Sequence, residues 1–149
     1  MKDVLRRNNV NITGRGEQVM LFVHGFGCDQ TVWKKIVPSF SDEYRIILFD
    51  FVGAGMSDVS AYDKSRYASL DGYAEDILEI AEVLNLQNII LVGHSVSCMI
   101  GVLAAIKNPG IFQKLLFIGP SPKYLNDGDY VGGFEKKDLD HLFELMDND

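Results

Sequence analysis

Gly93-His94-Ser95-Val96-Ser97 joins an apolar run, Asn88–Val92 (NIILV), to a helical run, Val96–Lys107. A serine hydroxyl is a weak nucleophile until a base takes its proton and donors hold the oxyanion that forms. A sharp turn between strand and helix serves that chemistry. It lifts the hydroxyl off the carboxyl end of the sheet and aims a helix N-terminus at the developing charge. Ser95 stands at that corner. The pentad has two readings, a nucleophile elbow or a small-residue turn of no chemical consequence. Where such elbows usually end in glycine, this chain has Ser97, still a small residue.

Two more loops bear on the choice. His24-Gly25-Phe26-Gly27 directly follows the run Val19–Val23 (VMLFV). Its glycines let the backbone bend so that an N–H faces the elbow, which supplies the second half of an oxyanion hole; an ordinary turn is the alternative. Asp50-Phe51-Val52-Gly53-Ala54-Gly55-Met56-Ser57 follows the run Tyr44–Asp50 (YRIILFD). It fails as a dinucleotide fingerprint, because the sixth position from Gly53 is Asp58 and no helical pattern opens there. All three loops follow the carboxyl ends of apolar runs, where open α/β sheets place their sites.

The elements that must position these loops are short apolar runs alternating with helical patterns. Val19–Val23, Tyr44–Asp50, Asn88–Val92 and Lys114–Ile118 (KLLFI) are near-continuous and rich in Ile, Leu, Val and Phe, as parallel strands covered on both faces are. Val4–Ile12 is more polar and alternates, which predicts an edge strand. Ser69–Leu84 carries Tyr73, Ile77, Ile80, Ala81 and Leu84 on one stripe, with Glu75, Asp76, Glu79 and Glu82 mostly off it. Ser69 or Asp71 caps its first turn. Val96–Lys107 is apolar almost all round, which predicts burial against the sheet, and Asn108-Pro109 stops it. The alternation predicts an α/β fold with a mostly parallel sheet and helices on both faces. After Gly119-Pro120-Ser121-Pro122 the chain turns polar. One amphipathic helix follows, with Leu139, Leu142, Phe143 and Met146 on its stripe.

The chain has 149 residues, enough for one compact domain, and is 47% apolar and 23% charged, as soluble globular proteins are. Its net charge of −7 and lack of a basic run exclude a nucleic-acid or anionic-membrane surface. No apolar stretch approaches the roughly 18–20 residues of a membrane span. Met1–Arg7 leads into no apolar signal core, which predicts a cytoplasmic protein with Cys28 and Cys98 as reduced thiols.

Four segments in order resemble the α/β-hydrolase family: HGFGCDQTVW (24–33), FDFVGAGMSD (49–58), GHSVS (93–97) and GPSPKYLNDGDYVGGFE (119–135). Within that family they look like the RsbQ-type bacterial stress regulators and the karrikin and strigolactone receptors of plants. Ser97 agrees with the plant-receptor side. The resemblance implies that residues 1–119 are the N-terminal part of the hydrolase core and 120–149 the start of a helical lid. It implies Ser95 as nucleophile, the backbone N–H groups of Phe26 and Val96 as oxyanion hole, and Gly25, Tyr124 and Phe134 lining a mostly apolar ligand pocket. Plain packing of the lid is the other reading of Tyr124 and Phe134. No cofactor and no metal are implied. The ligand would be a small apolar ester or lactone, either hydrolysed or sensed on behalf of a signalling partner protein. His94 reads as structural, and Cys28 and Cys98 as small packing residues.

One part of the pattern is missing. The family orders its triad Ser, then Asp, then His. Here the single histidine after Ser95 is His141, on the charged side of the last helical pattern, and no acid after Ser95 ends a core strand. The chain therefore predicts a hydrolase scaffold without the triad Asp and His, truncated after the start of the lid. It also predicts a bare apolar sheet edge at Lys114–Ile118, which invites self-association or a complementing chain.

Overall fold

The computed structural model describes residues 4–146, apart from the Met146 side chain. Its sheet has five strands: β1 (Asn11–Thr13), β2 (Gln18–Val23), β3 (Tyr44–Leu48), β4 (Ile89–His94) and β5 (Phe112–Ile118). Their order is β1-β3-β2-β4-β5, with β1 antiparallel to β3 and every other pair parallel. The helices are α1 (Val4–Arg7), α2 (Leu70–Val83), α3 (Val96–Lys107) and α4 (Lys136–Met146).

Alternate residues of β2 explain its unbroken apolar run. Val19, Leu21 and Val23 face a core shared with Ile77, Ile80 and Ala81 of α2 and Ile100 and Ala104 of α3. Met20 and Phe22 face a second core with Trp33, Ile46, Ile90 and Val92. The second face is closed by 3-10 turns at Gln30–Trp33 and Val37–Ser39. A strand buried on both faces has no polar position to alternate with. Ser69 caps α2, its hydroxyl accepting the Asp71 N–H at 3.3 Å.

Three expectations need correcting. Val4–Arg7 is a helical turn; only Asn11–Thr13 forms the edge strand. Burial of Val4 in the main core and a bond from Arg7 to Asp76 hold that turn, and both are long-range contacts without a local signal. Asp76, beside the apolar stripe of α2, is fully buried. Helix α3 buries Ser97, Cys98, Ile100, Gly101 and Ala104 but leaves Ile106 70% exposed. The apolar run in β5 is not doubly covered, for Leu116, Phe117 and Ile118 are 37–45% exposed on the outermost strand of the sheet. Among the described residues that edge is bare, as its place in the strand order predicts. On α4 the Leu142 and Phe143 stripe is largely exposed, and Met146 lies outside the described side chains.

Asp76 organises the α2 side of the molecule. Its carboxylate accepts Arg7 Nη2 at 2.8 Å, Arg66 Nη2 at 2.7 Å, Asn8 Nδ2 at 3.1 Å and the Tyr67 hydroxyl at 3.1 Å. Burial and the Asp76 charge push the Tyr67 phenol up to about 12, so it stays a donor near neutral pH. A buried carboxylate of this kind is tolerated only because every lone pair is used. Asp76→Asn should cost roughly 3 kcal/mol, the low end for breaking a buried pair, because Glu79 still faces both guanidiniums. The check is a lowered urea midpoint at unchanged slope; a loss under about 1 kcal/mol would show that the pair does not anchor the fold.

Candidate active site

Strand β4 delivers the chain to Ser95, whose φ of 57° and ψ of −125° put a non-glycine residue in a strained region. The corner is held on both sides. Its N–H donates to the Ile118 carbonyl at the end of β5 (2.9 Å), and its carbonyl accepts the Cys98 N–H (3.0 Å). Gly93 has no room for a side chain, since a Cβ there would lie 2.9 Å from the Ser97 carbonyl oxygen. Helix α3 starts at the next residue, so the Val96 N–H is one of its unpaired first-turn donors.

Facing the corner is the loop after β2. The Cys28 N–H bonds the Gly25 carbonyl at 3.3 Å, closing a four-residue turn with Phe26 and Gly27 at its corners. Gly27 has φ +68°, a position in such a turn that calls for glycine. Phe26, at the first corner, keeps its N–H outside the turn bond. Gly25 lies close against the elbow: a Cβ there would sit 2.8 Å from His94 Nδ1 and 3.3 Å from Ser95 Cβ.

His24 fastens this turn. Its Nε2 accepts the Phe51 N–H at 3.2 Å, which puts the ring proton on Nδ1, and Nδ1 donates to the Gly25 carbonyl at 2.9 Å. The His24 carbonyl in turn accepts the hydroxyl of buried Ser97. The loop after β3 is pinned by buried Asp50, which accepts the Gln30 N–H (2.8 Å), Asn9 Nδ2 (2.7 Å) and the Met56 N–H (3.0 Å). Gly55, at φ +53°, passes so close that a Cβ would meet Asp50 Oδ2 at 2.5 Å.

The Tyr124 hydroxyl lies 3.0 Å from Ser95 Oγ, and either atom can be the donor. Phe134 is joined to Tyr124 through its backbone, N–H to carbonyl at 3.1 Å, while its ring is 43% exposed. Phe26 is exposed and meets Phe143 of α4 edge-on, ring centres 6.4 Å apart. The structure thus brings Gly25, Val96 and Tyr124 to Ser95, and Phe143 to Phe26. The apolar stripe on α4 was the sequence signal for Phe143. The bracing role of His24 had none, because it depends on a loop 27 residues away.

None of the three histidines hydrogen-bonds Ser95. His24 is committed as described. His94 stacks edge-on with Trp33, and its Nδ1 is buried without a partner. His141 is exposed on α4, 4.0 Å from Glu144.

An open cavity of about 740 Å³ lies beside the turn after β2, walled by Phe26, Cys28, Phe51, Tyr62, Tyr73 and Val96 among others. Ser95, Tyr124 and Phe134 are not among its walls.

The sequence matches the alpha/beta hydrolase fold family over residues 18–146. The chain belongs to this family. It is 50% identical over 139 residues to the Karrikin insensitive 2 receptor CA of Petunia hybrida, covering 93% of this chain and 52% of that protein. With the Strigolactone esterase D14 of Arabidopsis thaliana the identity is 44% over 145 residues, covering 97% of this chain and 54% of that one. A hydrolase from Oleispira antarctica superposes with a TM-score of 0.93 at 45% identity, covering 99% of this chain and 55% of the other. The chain spans about half the length of the relatives it matches. Among the described residues no helix is long and apolar enough to cross a membrane.

The two thiols differ in environment. Cys28 is half-buried at the cavity wall. Cys98 is fully buried, donates to the Gly93 carbonyl at 3.2 Å, and burial pushes its thiol pKa up. Since the thiolate is the reactive form, iodoacetamide should modify Cys28 and react with Cys98 at least about a hundredfold more slowly in the folded chain. In urea the two rates should converge. Peptide mass spectrometry reads both, and equal rates in the folded chain would contradict the packing under the elbow.

Proposed function

We propose that this chain carries the nucleophile half of a small-molecule receptor built on a serine-hydrolase scaffold. One observation carries the reading. Ser95 sits at a strained strand–helix corner, pressed against Gly25 and facing a turn whose Phe26 N–H is outside the turn bond. Ser95 Oγ attacks the carbonyl carbon of a small apolar ester or lactone. The C–O bond forms as the carbonyl π pair moves to oxygen, and the N–H groups of Phe26 and Val96 receive that oxyanion. Tyr124 offers a phenol 3.0 Å from Ser95 Oγ, with Phe134 tied to it through the backbone, which suits a ligand with one polar group. Residues 120–149 act as the start of a lid over the core formed by 1–119.

The Ser95 proton needs an acceptor, and among the described residues no histidine or carboxylate bonds Ser95 Oγ. The reading assigns that base to residues outside this span of the fold. Loss of the base and its orienting acid leaves only the residual rate that an oxyanion hole supports.

Sensing is the second reading, favoured by a relative that is named a receptor at 50% identity. Here ligand capture alters the surface offered to a signalling partner, and hydrolysis is secondary. The bare β5 edge then takes a complementing chain or a second copy. Both cysteines are free, which suits a reducing cytoplasm.

A fluorophosphonate probe tests the chemistry. Slow labelling should occur at Ser95 and vanish in Ser95→Ala. Gly25→Ala should slow it at least about tenfold, because the added Cβ displaces His94 or Ser95. Labelling at another residue, or none at saturating probe, would sink the nucleophile assignment. Calorimetric titration with a small apolar lactone addresses sensing, where binding retained in Ser95→Ala favours the receptor reading.

A further inference from the structure

The two halves of the oxyanion site come from different elements. The Val96 N–H belongs to the first turn of α3, and the Phe26 N–H belongs to the turn after β2. Their spacing must be set by something that spans both. Ser97 is next to Val96, is fully buried, and donates its hydroxyl to the His24 carbonyl. That carbonyl opens the His24–Gly25 peptide. The next peptide unit holds the Gly25 carbonyl and the Phe26 N–H in one plane. The His24 ring grips this carbonyl at 2.9 Å, while the Phe51 N–H grips the ring from behind. A continuous chain of bonds therefore runs from α3 through Ser97 and His24 to the peptide that carries the Phe26 donor.

We propose that Ser97 is a positioning residue: its hydroxyl is a strut between the two oxyanion donors and holds them at a fixed separation. A glycine at this place could make no such bond, whereas the Ser97 side chain lies between the two backbones and joins them by a hydrogen bond. The inference rests on the assignment of Ser95 as nucleophile.

The test compares two reactions at one position. Phosphonylation of Ser95 by a fluorophosphonate forms an O–P bond, expels fluoride and releases the serine proton. It draws on the oxyanion donors at the phosphonyl oxygen. Alkylation at position 95 by iodoacetamide, in a Ser95→Cys background, forms an S–C bond and expels iodide without developing an oxyanion. Ser97→Ala and Ser97→Gly should each slow phosphonylation about tenfold, less than the hundredfold or more for removing a donor outright. Each should change alkylation by less than about twofold. Peptide mass spectrometry assigns both products to position 95, and circular dichroism reports the fold. Unchanged phosphonylation in both variants overturns the strut, as does an equal fall in both reactions or unfolding of both variants. If Ser95 of the unsubstituted chain takes no phosphonyl label, the nucleophile assignment fails and the strut with it, an outcome distinct from the others.

Discussion

A serine held at φ 57° and ψ −125° stores an energy of order 1–3 kcal/mol and persists only where its surroundings over-determine it. Those surroundings here are the sheet itself. Strand β4 lies between β2 and β5, so the corner can neither slide nor twist without breaking a ladder. The Ile118 carbonyl holds the Ser95 N–H from one side. Below, Cys98 is fully buried, and Gly93 leaves α3 just enough room to start at once. The exposed outer strand is therefore more than a border, because its last carbonyl helps to hold the corner in place. The same strand presents a row of outward backbone groups with no neighbour among the described residues, so what steadies β5 also steadies Ser95.

Two buried carboxylates do for the loops what the sheet does for the corner. Asp50 gathers the N-terminal turn, the loop after β2 and the loop after β3 with three donors that carry no formal charge. Asp76 gathers α1, α2 and the segment before α2 with two guanidiniums. Asn8 connects the two, its Nδ2 lying 3.1 Å from both the Asp50 carbonyl and Asp76 Oδ2. Burying an ion costs several kcal/mol, and the cost is met only if the donors are already in place. Each carboxylate thus makes its loops interdependent, and the turn after β2 inherits that rigidity through Gln30 and Phe51.

Much of this was legible in the sequence, for reasons that can be named. Strands buried on both faces must be apolar throughout, so β2 and β4 are conspicuous. Helix α3 is bounded by Val96 and Lys107 because a small-residue corner precedes it and Asn108-Pro109 follows it. The positions of Gly25, Gly27 and Gly93 mark close approach and tight turning. What was hidden depends on pairing across the chain. Asp76 has the helical spacing of a solvated acid, and only Arg7 and Arg66, 69 and 10 residues away, make it a core residue. The α1 turn has the composition of an edge strand until Val4 and Arg7 find α2. Lys114–Ile118 has the composition of a covered strand, yet coverage is a property of its neighbours and not of its own residues.

The contact between Ser95 and Tyr124 joins the two parts of the molecule. Tyr124 is not on a regular element, but its loop is braced. Its carbonyl accepts the Phe134 N–H at 3.1 Å, the Phe134 carbonyl accepts the Asn126 N–H at 2.9 Å, and the Tyr130 hydroxyl reaches the Lys123 carbonyl at 3.1 Å. Gly119, at φ +61°, turns the chain out of β5 toward that loop. The phenol is thus held against the serine hydroxyl without help from the sheet. Any group that bonds Ser95 Oγ must either take over the Tyr124 hydrogen bond or leave that half-buried phenol without one, and a lost hydrogen bond at a partly desolvated group is the costly option. Through this one contact the Ser95 hydroxyl is tied to the placement of the segment after Gly119.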